Sequence, residues 1–162
     1  MIHLEKLLWD TCDDVLNLKV AKEQKSFVAP NRDSIIDAYF AMTEEKMQVF
    51  PLGIYLDKKP VGFLMIAYDV PWAEQYYGLP RSYYYIWRFM IDKRYQGKGY
   101  GKEAMLQALE FIRSFPAGEA ECCWLSYEPE NEVAKKLYAS VGFEEKLELY
   151  EEGQEIPAVL KL

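Results

Sequence analysis

The strongest constraint on the fold is one stretch in mid-chain. Ser82 to Ile91 is apolar on both faces, with Tyr83, Tyr84, Tyr85, Trp87 and Phe89 interleaved with Ile86, Met90 and Ile91. A strand apolar on both faces belongs in the middle of a sheet, covered on each side. A polar, basic segment follows from Asp92 to Lys98. Gly99 to Phe115 then reads as a long amphipathic helix. Met105, Ala108, Leu109 and Ile112 fall on one side, Lys102, Glu103, Gln107, Glu110 and Arg113 on the other.

The rest of the chain alternates in the same way. Ile2 to Leu7 reads as a strand, and Thr11 with Asp14 is a weak capping signal for a helix through Val15 and Leu18. Residues 23–30 form a loop before a second helix, Asn31 to Thr43. Gln48 to Leu56 and Pro60 to Tyr68 form a hairpin around Asp57-Lys58-Lys59. Residues 70–81, with Pro71, Gly78 and Pro80, read as a long connection. Glu121 to Tyr127 is a short strand, and Asn131 caps a helix that ends at Gly142. Phe143 to Tyr150 and Gln154 to Leu162 close the chain as a strand pair. The expected fold is a single α/β domain over residues 1–162, with a mixed sheet of about seven strands in the order β-α-α-β-β-β-α-β-α-β-β.

Gly97, Gly99 and Gly101 stand at alternate positions where the central strand meets the helix. Glycine there lets the backbone turn tightly and approach a ligand. Free N–H groups and the helix dipole favour a phosphate. From Asp92 to Lys102 four basic side chains face one acid. A plain capped turn is the competing reading, and the basic enrichment favours the phosphate. A P-loop is excluded, because Gln96 and Glu103 occupy positions that need Gly and Ser or Thr. A dinucleotide site is disfavoured: Glu121 begins the next strand, whereas the ribose-binding acid should end it.

The pattern Gln96-x-x-Gly99-x-Gly101 resembles the acyl-CoA-binding loop of the GNAT N-acetyltransferases. A second motif agrees: Asn131-x-x-Ala134-x-x-Leu137-Tyr138, then Gly142-Phe143. The runs Tyr85 to Asp92 and Leu125 to Asn131 look like the family's spermine/spermidine acetyltransferases.

This resemblance implies acetyl-CoA as co-substrate and a primary amine as acceptor. It places Gln96, Gly97, Lys98, Gly99, Tyr100, Gly101 and Lys102 around the pyrophosphate. Met90, Ile91 and Asn131 would hold the CoA arm, at a splay between the fourth and fifth strands. Tyr138 would be the general acid; a phenol of pKa near ~10 suits a thiolate leaving group of ~8.5. By spacing alone the favoured reading of Tyr138 is a core residue packed beside Leu137; the family motif is what turns it to the catalytic one. The family's carboxylate base on the central strand is replaced here by Trp87, so Glu128 and Glu23 become the candidates, with Asp69 and Glu74 weaker. Glu128, Glu23, Tyr85 and Trp87 are expected to contact a cationic acceptor. By alternation Tyr83, Tyr85, Trp87 and Phe89 share one face. Arg88, a charge within an apolar strand, is expected in an ion pair.

Nineteen basic against twenty-six acidic residues give a net charge of −7, unsuited to a nucleic-acid partner. No apolar run reaches the ~20 residues of a membrane span, and no signal peptide is visible. Three cysteines, two of them adjacent, make no disulfide framework. The chain is expected to be cytoplasmic. With His3 as the only histidine, no metal site is expected. The resemblance adds a homodimer built on the last two strands. A polyamine acetyltransferase leads, against acetylation of an aminoglycoside, an amino acid or a protein N-terminus, and against a CoA-binding sensor without chemistry.

Overall fold

The computed structural model describes all 162 residues. Seven strands form one sheet: β1 (Ile2–Lys6), β2 (Gln48–Leu56), β3 (Lys59–Tyr68), β4 (Tyr84–Ile91), β5 (Cys122–Tyr127), β6 (Glu144–Glu145) and β7 (Ile156–Lys161), in the spatial order β1-β2-β3-β4-β5-β7-β6. The strand apolar on both faces is the central one, as its composition requires. Five helices cover the sheet: α1 (Cys12–Leu16), α2 (Asn31–Thr43), α3 (Pro71–Tyr77), α4 (Tyr100–Arg113) and α5 (Glu132–Ser140). No helix is long and apolar enough to cross a membrane.

Each face of the sheet has its own core. Met105, Ala108, Leu109 and Ile112 of α4 pack with Tyr84, Ile86 and Leu125 on one side. On the other, Val15, Ala38, Ala41 and Ala73 from α1, α2 and α3 pack with Phe63, Met65 and Trp124. Helices on both faces are what allow β4 to be apolar on both faces.

Four expectations need correction. The connection over residues 70–81 contains α3, a helix the sequence reading missed. Pro71 stands at its first position and Gly78 ends it in the left-handed conformation, φ 64°. The two residues taken as loop punctuation are the start and stop of a short helix. Phe143 to Tyr150 is not a full strand: β6 has two residues, and a 3-10 turn follows at Leu147–Leu149. Thr11 precedes α1 but its side chain makes no cap hydrogen bond.

The fourth concerns β4. Met65 pairs with Arg88 and Ile66 with Ile86, so Trp87 is an extra residue in a bulge. A bulge reverses the alternation beyond it. Tyr85 and Trp87 therefore pack on the α1–α3 side, while Phe89 packs on the α4 side. The four aromatics expected on one face are divided.

Gly62 lies opposite Ile91 in the β3–β4 ladder, and a Cβ there would stand 2.4 Å from the Met90 carbonyl oxygen. Backbone cannot yield as a flexible side chain does. Gly62→Ala is expected to cost about 1–3 kcal/mol, the usual penalty of overpacking, read as a lowered Tm. An unchanged Tm would mean that β3 and β4 separate freely at this point.

Candidate active site

β4 and β5 run parallel but share only two residue pairs, Tyr84–Cys123 and Tyr85–Trp124. The second pair is reinforced by stacking of the Tyr85 and Trp124 rings, with centroids 4.0 Å apart. Past it the strands part. β4 continues along β3 through the Trp87 bulge, and β5 continues along β7. One edge of β4 from Ile86 onward is left without a strand partner, and a cavity of about 730 Å³ opens in the gap. That is the size of a small-molecule or cofactor site.

The glycine loop closes one end of this cavity. Gly97 and Gly99 have φ of 71° and 83°, a conformation other residues adopt at a cost. α4 begins at Tyr100, and the backbone N–H groups of Gly99, Tyr100 and Gly101 have no acceptor within the protein. Unpaired N–H groups at a helix start favour an anion by geometry and dipole together. Gly101 differs from the other two: its backbone is helical, and an added Cβ would meet nothing nearer than 3.7 Å. The fold has no need of glycine there.

The loop is anchored from below. Asp92 is buried, and its carboxylate accepts from the Lys19 backbone N–H at 3.0 Å and from Arg94 N and Nε at 3.0 and 2.8 Å. Burial by itself would raise its pKa; the hydrogen bonds from Arg94 and Lys19 outweigh it and hold the carboxyl below its ordinary value. Gln96 donates through Nε2 to the Ile91 carbonyl and to Gln24 Oε1, each at 2.8 Å. This ties the loop to the segment between α1 and α2, whose residues Gln24, Phe27 and Val28 wall the cavity.

The far wall comes from β5 and α5. Asn131 Oδ1 caps α5 by accepting from the Ala134 N–H at 3.2 Å. Tyr138, two turns on, is buried, yet no hydrogen bond within the protein engages its hydroxyl, and it lines the cavity. Burial first, then the Glu155 carboxylate and Tyr85, push its pKa up, so it keeps its proton across the neutral range.

Of the expected site residues, Met90, Ile91, Gln96, Gly97, Gly99, Gly101, Lys102, Asn131, Tyr138 and Trp87 all line this cavity. Lys98 points away, bonding the Arg94 carbonyl and lying over the Tyr95 ring, and Tyr100 packs against the core. Glu23 is exposed on a 3-10 turn beside Gln24, outside the lining. Glu128 also lies outside it; burial, then the charges of Glu155 and Glu130, raise its pKa. Arg88 makes the ion pair expected of it, to Asp37 of α2 at 3.2 Å, with Ser34 Oγ and the Trp87 carbonyl as further acceptors.

The sequence reading missed Glu155 and Ser126, which also line the cavity, and Ser126 Oγ donates to the Glu155 carboxylate. No motif marks Glu155; it precedes β7, and only the β5–β7 pairing brings it into the same cavity as Tyr138. Tyr85, expected at the acceptor, lines a second, adjoining cavity.

A family model described as "Acetyltransferase (GNAT) family" matches residues 12–143. The chain belongs to the GNAT acetyltransferase family. Spermine/spermidine N(1)-acetyltransferase of Bacillus subtilis (strain 168) is 26% identical over 155 residues, covering 96% of this chain and 95% of that protein. Among solved structures, aminoglycoside acetyltransferase AAC(6')-Ib in complex with coenzyme A aligns with a TM-score of 0.75 at 15% identity, over 99% of this chain and 95% of the other. PaiA N-acetyltransferase from Thermoplasma acidophilum, also in complex with coenzyme A, aligns at 0.67 and 14% identity, over 100% and 99%. At such identities these two establish the likeness of fold.

A carboxylate whose pKa is depressed by folding adds stability above its unfolded pKa of ~3.9 and loses it as the pH falls through the folded value. Asp92→Asn is therefore expected to destabilise the protein at pH 7 by about 1–3 kcal/mol. The gap from wild type should shrink as the pH is lowered from about 5 through the acid range. Thermal unfolding at a series of pH values checks this. A gap that stays constant would assign the anchor to shape and not to charge.

Proposed function

We propose that this protein transfers an acetyl group from acetyl-CoA to a primary amine of a small polycation, a polyamine such as spermine or spermidine. The observation that carries the reading is the cavity at the β4–β5 splay. It combines free N–H groups at a helix start, an unpaired strand edge and a desolvated phenol. The polyamine acceptor is supported by the Bacillus relative's name and near-complete coverage, and by the aromatic side chains of Tyr85 and Trp87 beside the cavity.

Acetyl-CoA supplies an activated acetyl thioester when bound. The residues of the chain do the rest. The N–H groups of Gly99, Tyr100 and Gly101, with Lys102, would receive the pyrophosphate. The free edge of β4 at Met90 and Ile91 offers backbone groups to an extended arm, as one strand does to another. Asn131 and Ala134 would flank that arm from the start of α5. Tyr138 holds a proton at its hydroxyl to give to a departing thiolate. Burial first, then Glu155 and Tyr85, raise its pKa, which keeps the hydroxyl protonated while making it a weaker acid than a free phenol. Donors of this kind contribute typically ~10²–10⁴ in rate.

The experiment is thiol release from acetyl-CoA against an amine panel of spermine, spermidine, simple amino acids and an aminoglycoside. Spermine and spermidine are expected to turn over fastest. Equal or faster turnover of the amino acids overturns the polyamine reading, and no release with any amine despite tight CoA binding favours a sensor. Tyr138→Phe is expected to lower kcat by about 10²-fold or more while leaving CoA affinity and Tm in place; an unchanged kcat removes the proton-donor role.

Gly101→Ala separates the needs of fold and ligand. Alanine is the better helix former by roughly 0.5–1 kcal/mol, so Tm should hold or rise. CoA affinity should fall roughly tenfold, the worth of one charged hydrogen bond. An unchanged Kd would mean that the ligand does not approach α4 at this point.

A further inference from the structure

The second cavity, of about 380 Å³, lies against the first and shares Trp87, Arg88, Ser126 and Glu155 with it. Its walls are aromatic. Trp72 and Tyr77 come from α3, and Tyr85 and Trp87 come from β4. The rings are packed on each other, Trp72 5.2 Å from Trp87 and Tyr77 5.4 Å from Trp124, so the walls are rigid. At the inner end, where the two cavities meet, stands Glu155.

Glu155 is the only carboxylate of this box, and its tyrosine hydroxyls can both donate and accept. Ser126 donates to one oxygen of Glu155, and no other side-chain hydrogen bond engages that carboxylate. Gln154 Oε1 is buried in the same wall without a hydrogen-bond partner. A buried acceptor without a donor is costly unless a ligand or water satisfies it. The one cation at the box, Arg88, is already held by Asp37, Ser34 and the Trp87 carbonyl. The Glu155 charge also opposes ionisation of Tyr77, Tyr85 and Tyr138, after burial in each case, so these hydroxyls remain neutral around it. Aromatic faces beside a carboxylate with one hydrogen-bonded oxygen together suit an ammonium group on an aliphatic chain.

We propose that the box under α3 is the specificity-determining element of this enzyme: Glu155 binds the amine that is to be acetylated and takes the proton of its ammonium form, leaving the neutral amine to attack, and Trp72, Tyr77 and Trp87 enclose the unbranched alkyl chain that follows it. The inference rests on the acetyl-transfer reading above and adds to it the residues that choose the acceptor. The ligand class is an unbranched alkyl amine with a second ammonium group, which projects past Gln154 towards the exposed acids Glu151 and Glu152.

The test uses the full chain and two readouts. Spermidine titrated against the protein without acetyl-CoA should quench the fluorescence of Trp72 and Trp87. In steady state, Glu155→Gln, which keeps an acceptor for Ser126, should raise the KM for spermidine by about tenfold or more, the ratio that a lost charged hydrogen bond gives. CoA affinity and Tm should hold. Trp72→Ala, in a different element, should raise the same KM by about threefold or more, and should weaken the preference for spermidine over n-butylamine. A KM for spermidine within about twofold of wild type in both variants overturns the proposal. If wild type quenches with spermidine but releases thiol with no amine, the box stands and the acetyl-transfer reading fails. If it does neither, both fail.

Discussion

The structure depends on how little β4 and β5 share. Two residue pairs hold them together, and the stacked rings of Tyr85 and Trp124 close the second. A parallel ladder carried further would fill the space where the cavity lies. It stops because each strand has another partner: β3 for β4, through a bulge at Trp87, and β7 for β5. The bulge bends β4 at the point of separation, and the β7 hairpin supplies Glu155 to the gap. The cavity is therefore a consequence of strand pairing, and its ends are set by where pairing fails.

Everything that touches the cavity is braced from outside it. Asp92 fastens the glycine loop to the backbone of Lys19 and Arg94. Gln96 carries that bracing on to Gln24 in the loop between α1 and α2. Arg88 joins β4 to α2 through Ser34 and Asp37. Arg88, Arg94 and Gln96 hold these ties from exposed or partly exposed positions, and the buried Asp92 carboxylate is compensated by its hydrogen bonds, while the apolar cores on either face hold the sheet. The result is a rigid frame around a site in which the backbone N–H groups of Gly99, Tyr100 and Gly101 and the Tyr138 hydroxyl are left free for ligands.

Charge is divided along the same lines. Against a net charge of −7, the loop from Asp92 to Lys102 is locally basic, and it stands at the end of the cavity where backbone N–H groups are free. The carboxylate of Glu155 stands at the other side, next to the aromatic walls. An anionic and a cationic ligand could hardly be served by one uniform surface; the splay keeps the two regions apart and lets them meet near Tyr138.

Much of this was legible in the residues. The doubly apolar Ser82–Ile91, the alternate glycines 97, 99 and 101, and the Asn131–Tyr138 spacing located β4, the start of α4 and α5, because local backbone rules and periodicity act over a few residues. α3 was not legible, since a seven-residue helix framed by Pro71 and Gly78 has the composition of a loop. Nor was the divided face of β4, because a bulge depends on the register of the neighbouring strand. The sequence by itself determined the fold class, the glycine loop and the phenol on α5. Only the tertiary structure decided that Glu155 shares a cavity with that phenol, that Trp72 and Tyr77 wall a second cavity, and that Glu23 and Glu128 stand outside both. Those facts rest on contacts between residues far apart in the chain, which no local pattern encodes.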